Sequence, residues 1–580
     1  MFASMLGMVL ALILFFFISI AIIGAMVSSV GKKETVISNN SVLEIKLDKP
    51  IKERSSKDPF SEFSFSLTEK KQGLDDILKD IDKAKRDSHI KGILLNLSSM
   101  REGAATVEEI RNALLDFKTS GKFIYAYSDG YMQSTYYLAS VADKIFLQPE
   151  GDFDFRGLHA ELMFVKGTLA KLEIEPEIIR HGKFKSAVEP FINDKMSPEN
   201  RLQISTLLNS VWDNYISKVA ASRKLDEKTL RDAATDMKIQ KPQDAVELGL
   251  VDKLAYFDEV LSELKHKTGQ KESEKIKFVE LKKYDNATVS SGKPFSNKKI
   301  AVIYAVGDIQ GGKGDENTIG SDKISETIRK ARMDSSIKAI VLRVNSPGGS
   351  ALASDVIWRE VLLAKKAKPV VVSMGDVAAS GGYYISCGAD AIVAEPNTIT
   401  GSIGVFGLLF NTQKMFNNKL GITFDTVKTG RFADLGNTTR PLSQEERDII
   451  QRQVERIYDT FITHVSEGRN VSKALVDSMG QGRVWSGVDA KRLGLVDELG
   501  GINVAIELAA KKAKLDNYRT IALPEQEDFV SKLVEDFSTK MSTKAIQENL
   551  GESYQYYQHL TSLLKQKGVL ARMPFEVEIY

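Results

Sequence analysis

The sequence repeats itself once, and the repeat governs what the chain can fold into. At an offset of 247 residues, Gly73, Asp75, Ile77, Ile81, Lys83, Ala84, Asp87, Ser88, Ile90, Lys91 and Ile93 recur as Gly320, Asp322, Ile324, Ile328, Lys330, Ala331, Asp334, Ser335, Ile337, Lys338 and Ile340. Asp129, Tyr136, Tyr137, Ala142, Asp143, Ile145 and Pro149 return as Asp376, Tyr383, Tyr384, Ala389, Asp390, Ile392 and Pro396. The offset drifts to 245 at the two Gly-Leu-Val-Asp segments, 249–252 and 494–497. A unit of this length is too long for a solenoid repeat. It implies two tandem homologous domains.

Each copy alternates strand and helix patterns. In the second, β-branched or apolar strands are expected at 299–304, 338–344, 369–374 and 391–395. Helices are expected between them at 322–333, 350–366 and 380–389, with Ser350 placed to cap the second. Unbroken apolar strands between helices indicate an α/β fold with a largely parallel sheet covered on both faces. The boundaries read as an anchor over 1–31, a linker over 32–44, the first repeat over 45–265 and a polar linker over 266–297. The second repeat then spans 298–515, and an extension without a counterpart spans 516–580.

Residues 5–30 are an apolar run broken only by Gly and Ser, with no charged side chain before Lys32. That length suits one transmembrane helix across the ~30 Å hydrocarbon core better than the apolar region of a cleaved signal peptide, which runs roughly 7–15 residues after a basic start. Lys32 and Lys33, taken alone, favour a cytoplasmic location for the rest of the chain. The net charge of +2 gives no electrostatic case for a nucleic-acid partner. Cys387 is the only cysteine and the six histidines lack ligand spacing, so no disulfide, metal site or cofactor is expected.

In an open α/β sheet, ligands meet the carboxyl ends of strands. Two such ends in the second repeat are unusual. Asn345-Ser-Pro-Gly-Gly349 can turn the N–H groups of Gly348 and Gly349 toward a ligand as an oxyanion hole. Met374-Gly-Asp-Val-Ala-Ala-Ser-Gly-Gly-Tyr383 surrounds Ser380 with small residues at a helix start, where Gly381 N–H is a further donor. Either motif alone could be a plain turn or a plain helix cap. The first repeat sharpens both: Gln133 stands where Ser380 does, and Arg101 and Glu102 stand where Gly348 and Gly349 do.

A nucleophilic serine needs a base. In the first repeat, Lys183 aligns with Arg431, whereas Lys185 aligns with Ala433. Lysine present where serine is absent, and the reverse, is the pattern of one composite site shared by two domains. Lysine acts as a base only when neutral, so Lys185 requires burial away from carboxylates, and Glu189 should face elsewhere. Ser402, in Thr400-Gly-Ser-Ile-Gly404, is a candidate to orient the amine, and His181 is the rival base.

These segments carry a resemblance. Lys-Ser-Ala-Val-Glu-Pro-Phe at 185–191, Asn-Ser-Pro-Gly-Gly-Ser at 345–350, the glycine-flanked Ser380 segment and Thr-Gly-Ser-Ile-Gly at 400–404 resemble the signal peptide peptidase A (protease IV) family in its long two-repeat form. The likeness covers roughly residues 45–510 together with the anchor. It implies two Clp/crotonase-like domains preceded by one transmembrane helix, and a serine endopeptidase with a Ser–Lys dyad. In that scheme Ser380 is the nucleophile, Lys185 the general base, Gly349 and Gly381 the oxyanion hole, and Ser402 the orienting group. It further implies cleaved signal peptides and other apolar peptides as substrates, a bowl-shaped homotetramer, and a single-pass inner-membrane protein with its catalytic part in the periplasm. The rival readings are a crotonase-like acyl-CoA enzyme, which needs a solvated Lys185, and a non-catalytic membrane scaffold.

Overall fold

The computed structural model describes residues 7, 8, 11, 14, 35–55, 73–100, 102–289, 294–315, 317–526 and 568–573. The apolar run at 5–30 lies outside those residues apart from Gly7, Met8, Ala11 and Leu14. Among the described residues no helix is long and apolar enough to cross a membrane.

The first repeat supplies β1 (Ser41–Ile45), β2 (Ile90–Asn96), β3 (Phe123–Tyr131), β4 (Lys144–Phe153), β5 (Glu175–His181), β6 (Lys253–Leu254) and β7 (Phe278–Glu280). Six of them form a parallel sheet in the order β6-β4-β3-β2-β1-β7, and β5 leaves it. The second repeat supplies β8 (Lys299–Val306), β9 (Asp308–Gln310), β10 (Thr318–Gly320), β11 (Ile337–Ser346), β12 (Gly348–Ser350), β13 (Val370–Ala379), β14 (Ala391–Ala394), β15 (Ile399–Gly401), β16 (Val405–Asn411), β17 (Val484–Ser486), β18 (Glu498–Leu499) and β19 (Arg519–Leu523). Its main sheet repeats the first, with β18-β14-β13-β11-β8-β19 in parallel. The last strand, β20 (Gly568–Arg572), lies in the carboxy-terminal extension.

Strands of the second sheet are buried on both faces, as their unbroken apolar sequences require. Along β8, Ile300, Val302 and Tyr304 point into the core that fills the first repeat. Ala301, Ile303 and Ala305 point into the core of the second. The helix Ile502–Lys512 adds Ile502, Ala505 and Ala509 to the first core, so the two repeats share one apolar interior. Matching long helices, Pro198–Arg223 and Gln444–Arg469, start at the capping serines Ser197 and Ser443. Both end on a left-handed residue, Lys224 or Asn470.

Three expected boundaries need correction. The first strand begins at Ser41, inside the stretch read as a linker over 32–44. Residues 278–280, read as part of the 266–297 linker, form β7 beside β1. Residues 519–523, read as part of the unmatched extension, form β19 in the equivalent place beside β8. Each repeat therefore closes on an edge strand. Phe-Val-Glu and Arg-Thr-Ile-Ala-Leu are too short and too dissimilar to register as a repeat. The strand expected at 369–374 also runs on to Ala379, because Val377–Ala379 find a second partner in β15.

A third sheet, in the order β10-β9-β12-β20-β16-β5, crosses the seam between repeats. Here β5 of the first repeat pairs antiparallel with β16 of the second over seven residues, from Glu175↔Asn411 to His181↔Val405. A buried polar network crosses the seam behind it. Arg343 on β11 is fully buried; its guanidinium donates to Glu53 Oε2 at 2.8 Å and Glu109 Oε1 at 2.5 Å, both carboxylates from the first repeat. It also donates to Ser373 Oγ at 2.9 Å. Asp376 of the second repeat accepts from Thr106 N at 2.9 Å and Thr106 Oγ1 at 2.6 Å.

Removing the cation alone would leave two buried carboxylates uncompensated. Arg343→Ala is expected to destabilise the protein by ~3–5 kcal/mol, read as a lowered urea midpoint at unchanged slope. Arg343→Lys should recover only part of the loss, because an ammonium cannot reproduce the planar fork.

Candidate active site

The parallel strand β13 delivers Ser380 at its carboxyl end. The chain then turns sharply, with Ser380 at φ 55° and ψ −112°, into the short helix Gly381–Ser386. The turn is held by Ser380 N donating to Gly401 O at 2.8 Å and by Tyr384 N donating to Ser380 O at 2.8 Å. A non-glycine residue at positive φ carries strain that its surroundings must support. The hydroxyl does not cap the helix. It lies fully buried and faces across the seam.

Lys185 meets it from the other repeat. Its Nζ lies 2.9 Å from Ser380 Oγ, 3.0 Å from Ser402 Oγ and 3.2 Å from Ser402 O. A neutral amine has two hydrogens and one lone pair. The two hydrogens suit the two Ser402 oxygens and the lone pair suits the Ser380 hydroxyl proton, so all three contacts are satisfied without an ammonium. Ser402 Oγ–H can pass on to Gly482 O at 3.4 Å.

The lysine is fully buried, and desolvation holds its pKa well below the ordinary lysine range. Glu189, four residues on, turns away to accept from Ser197 Oγ at 2.5 Å, Ser197 N at 3.1 Å and Asn200 Nδ2 at 3.0 Å. His181, the rival base, sits at the end of β5 and stacks on Tyr458 with ring centroids 4.0 Å apart.

Backbone packing admits the lysine. After β5 the chain turns at Gly182, whose φ is +100°. Phe184 N then donates to Gln481 O at 2.9 Å. A methyl group on Gly482 would come within 2.6 Å of Lys185 Cβ, and one on Gly404 within 3.2 Å of its Cδ. The lysine stem therefore lies in a slot cut by two glycines of the second repeat. Gln203, from the helix Pro198–Arg223, donates to Phe184 O at 3.2 Å and to Ser186 Oγ at 2.7 Å. Its own Oε1 accepts from Val484 N at 3.3 Å, which ties the lysine loop to β17.

The glycine loop lies on the remaining side of Ser380. Gly348 has φ +102° and Gly349 has φ +155°, and a methyl on Gly348 would approach Gly381 N to 2.7 Å. Gly348 N donates to Ser346 Oγ at 3.1 Å. Gly349 lies one residue further along β12, between Ile309 of β9 and Ala571 of β20.

Sequence reasoning passes over the support behind this loop. Asn345 donates from Nδ2 to Glu53 Oε1 at 2.8 Å and accepts at Oδ1 from Val377 N at 3.1 Å. One side chain thus ties the glycine loop, the strand that carries Ser380 and the first repeat together. The motif containing Asn345 is visible in the sequence, but nothing around Glu53 marks it as a partner. The structure also places β20 of the extension directly over the glycines. Among the described residues no cluster of His, Cys, Asp or Glu could hold a metal ion.

The chain is similar to known proteins over most of its length. The model of peptidase family S49 matches residues 116–271 and 363–516. Protease 4 of Haemophilus influenzae is 38% identical over 500 residues, spanning 83% of this chain and 80% of that protein. Protease 4 of Salmonella typhi is 40% identical over 453 residues, spanning 76% and 72%. The chloroplastic serine protease SPPA of Arabidopsis thaliana is 36% identical over 451 residues, spanning 76% and 66%. Among solved structures, a ClpP1 mutant from Listeria monocytogenes is matched at 16% identity and a TM-score of 0.25, covering 35% of this chain and 94% of that one.

The depressed pKa has a thermodynamic consequence. Between that lowered value and ~10.4 the unfolded chain binds a proton at Lys185 that the folded chain does not, so stability rises with pH across this window. Lys185→Met removes the slope. The variant is expected to be more stable than the parent at neutral pH, because its folding no longer strips a proton from the side chain. The advantage should fade as pH approaches 10, as urea unfolding over pH 7–10 would reveal.

Proposed function

The chain belongs to peptidase family S49 and is a serine endopeptidase, and we propose that Ser380 is its nucleophile and Lys185 its general base. The observation that carries this reading is the 2.9 Å approach of a fully buried amine to a fully buried hydroxyl across the seam. Neutral Lys185 accepts the Ser380 proton as Oγ attacks the scissile carbonyl. The developing oxyanion is received by the N–H groups of Gly381 and Gly349, whereas Gly348 N–H is held by Ser346 Oγ at 3.1 Å. The lysine ammonium then protonates the departing amine, which leaves an ester on Ser380. A water molecule, deprotonated by Lys185 in turn, hydrolyses that ester. Ser402 keeps the amine aimed by accepting its other two hydrogens. A solvated lysine, which the acyl-CoA reading needs, does not fit a residue that is 0% exposed.

Apolar peptides, cleaved signal peptides among them, are the proposed substrates. The support is the apolar packing on either side of the dyad. One apolar cluster beside Lys185 contains Val188, Phe191, Phe406 and Leu408. Another beside Ser380 contains Ala379, Ile399, Val484, Ile204 and Leu207. Each repeat is read as a Clp/crotonase-type domain. Residues 5–30 are proposed as a single inner-membrane anchor, with the catalytic repeats in the periplasm, where cleaved signal peptides would reach them.

Assembly follows from the repeat. Within the chain, β5 of the first copy docks on β16 of the second. The counterpart of β5 in the second copy, residues 423–429, is exposed throughout. The counterpart of β16 in the first copy, residues 158–164, alternates half-buried and exposed positions outside any strand. Such alternation is the pattern of a strand with one face covered. A head-to-tail neighbour would bring these two segments together, and a closed ring of four chains is the proposed homotetramer.

Ser380→Ala and Lys185→Ala are each expected to abolish hydrolysis of an apolar peptide by the purified protein. In the parent, kcat/KM should fall as pH drops through the lowered pKa of Lys185, since only the neutral amine accepts the proton. Wild-type turnover in either variant would reject the dyad. For the assembly, Val427, 97% exposed, is the probe. Val427→Pro should shift the protein from tetramer to smaller species in analytical ultracentrifugation while leaving its helical circular dichroism intact.

A further inference from the structure

The loop 480–483 of the second repeat wraps the outer side of the Lys185 segment. Gln481 O accepts from Phe184 N at 2.9 Å, and Gly482 lies against the lysine stem. Arg483 extends this wall in two ways. Its carbonyl oxygen accepts from Ser402 N at 2.7 Å. That bond helps to hold Ser402 at φ 48°, a left-handed conformation that a non-glycine residue keeps only with support. Its guanidinium lies over the ring of Phe184, 5.0 Å from the centroid, and over that of Trp485, 4.1 Å from the centroid. Phe184 directly precedes Lys185, and Ser402 Oγ lies 3.0 Å from Lys185 Nζ. One residue therefore touches the neighbours of the amine on both sides.

Resting on the dyad reading above, we propose that Arg483 is a positioning residue for Lys185: its guanidinium, stacked between Phe184 and Trp485, shuts the outer side of the lysine slot against water. A planar cation between two ring faces is attracted to both, and it presents no acceptor to the amine. An arginine present only to fill this gap is a poor choice. Its Nε is buried without a hydrogen-bond partner, a cost that an apolar side chain of similar length avoids. Asp489, the acid that faces it, is engaged with Arg492 at 3.1 Å and with Ser486.

The charged groups around Lys185 leave its neutrality to the exclusion of water. On its own segment, Arg180 Nη1 donates to Lys185 O at 3.4 Å, His181 stacks on Tyr458, Lys183 is exposed and Glu189 is turned to Ser197. From the helices behind the loop, Asp477 accepts from Tyr458 Oη at 2.6 Å and Gln481 Nε2 at 2.7 Å. Strand β16 offers only the ring of Phe406, 6.0 Å from Nζ. Each carboxylate is engaged elsewhere, so the amine stays neutral only while it stays dry. The copy of the loop in the first repeat lacks the stack. At the offset of 245, Lys238 stands for Arg483 and Gln240 for Trp485, and Lys238 pairs with Asp236 at 3.6 Å. The arginine and the ring are present in the repeat that walls the lysine and absent from the other.

The test uses the full chain with Arg483→Ala and Arg483→Lys. Should the alanine variant fail to fold, Phe184→Leu removes one face of the stack and is expected to act in the same direction. Two quantities are measured. One is the pH dependence of kcat/KM on an apolar fluorogenic peptide. The other is urea unfolding between about pH 5 and pH 10, with and without Lys185→Met, whose difference tracks the folded pKa of Lys185. Arg483→Ala is expected to move the acid midpoint of kcat/KM up by about one pH unit, a roughly tenfold loss below the midpoint with a near-parental plateau above it. The pH at which the Lys185-dependent stability begins to rise should move up with it. Arg483→Lys should recover part of both shifts, because an ammonium keeps the charge but not the plane. If kcat/KM falls equally at every pH, or is unchanged, and neither midpoint moves, Arg483 is a plain structural piece and the proposal fails. If the stability difference moves while the kcat/KM midpoint does not, the stack covers Lys185 as proposed but Lys185 is not the base, and the dyad reading falls instead.

Discussion

The site depends on keeping one amine dry. A lysine in water is protonated at neutral pH and useless as a base. Lys185 is fully buried, and desolvation is the cause that lowers its pKa, as the proposed role of neutral base requires. That requirement shapes its surroundings. Gly482 and Gly404 are glycines because the lysine stem occupies the space their side chains would take. Glu189 spends its carboxylate on Ser197 and Asn200. Gln203 closes the entrance by bridging the lysine loop to β17. Neither repeat could bury the amine unaided, because the lysine comes from one and the walls from the other.

The seam is consequently polar in one place and apolar in another. Behind the glycine loop, Arg343 is fully buried among Glu53, Glu109 and Ser373, and Asn345 extends this network to Val377 N. Such a network is weak evidence for stability, since burying its charges costs about what their attraction returns. It does fix geometry. Through Asn345 it sets the glycine loop and the nucleophile strand against the first repeat, and its carboxylates are engaged with Arg343 and Thr106 instead of facing the lysine. Orientation at Ser380 and dryness at Lys185 are met by two different parts of one interface.

Much of this was legible in the sequence, for a physical reason. Main-sheet strands buried on both faces must be continuously apolar, so their pattern survives in both copies. Ser380 and Lys185 stood out because each sits in a segment whose partner copy has lost the corresponding chemistry, and Ser402 as a hydroxyl able to orient the amine. The structure brings all three within hydrogen-bond reach. What stayed hidden depends on tertiary placement. Glu53 lies in an unremarkable stretch and gains meaning only from Arg343 and Asn345. The edge strands β7 and β19 are short and carry no period. Strand β20 could not be foreseen, since Gly-Val-Leu-Ala-Arg becomes a strand only when β12 and β16 flank it.

The reciprocal losses also limit what a ring of these chains can do. Inside one chain, the arm of the first repeat brings Lys185 to Ser380. In the proposed closure, the arm of the second repeat reaches the first repeat of its neighbour. That arm carries Arg431 and Ala433 in place of the two lysines, and the first repeat has Gln133, Arg101 and Glu102 at the sequence positions of the serine and the glycines. It has no amine to desolvate and no nucleophile to activate. Such a junction is free of the dryness constraint, which agrees with the exposure of residues 423–429 and with the ionic pairing of Arg431 to Glu445 in the single chain. The repeat thus offers two junctions of similar shape: on the proposed dyad, the one inside the chain has to be buried to keep its lysine neutral, and the proposed one between chains has only to hold.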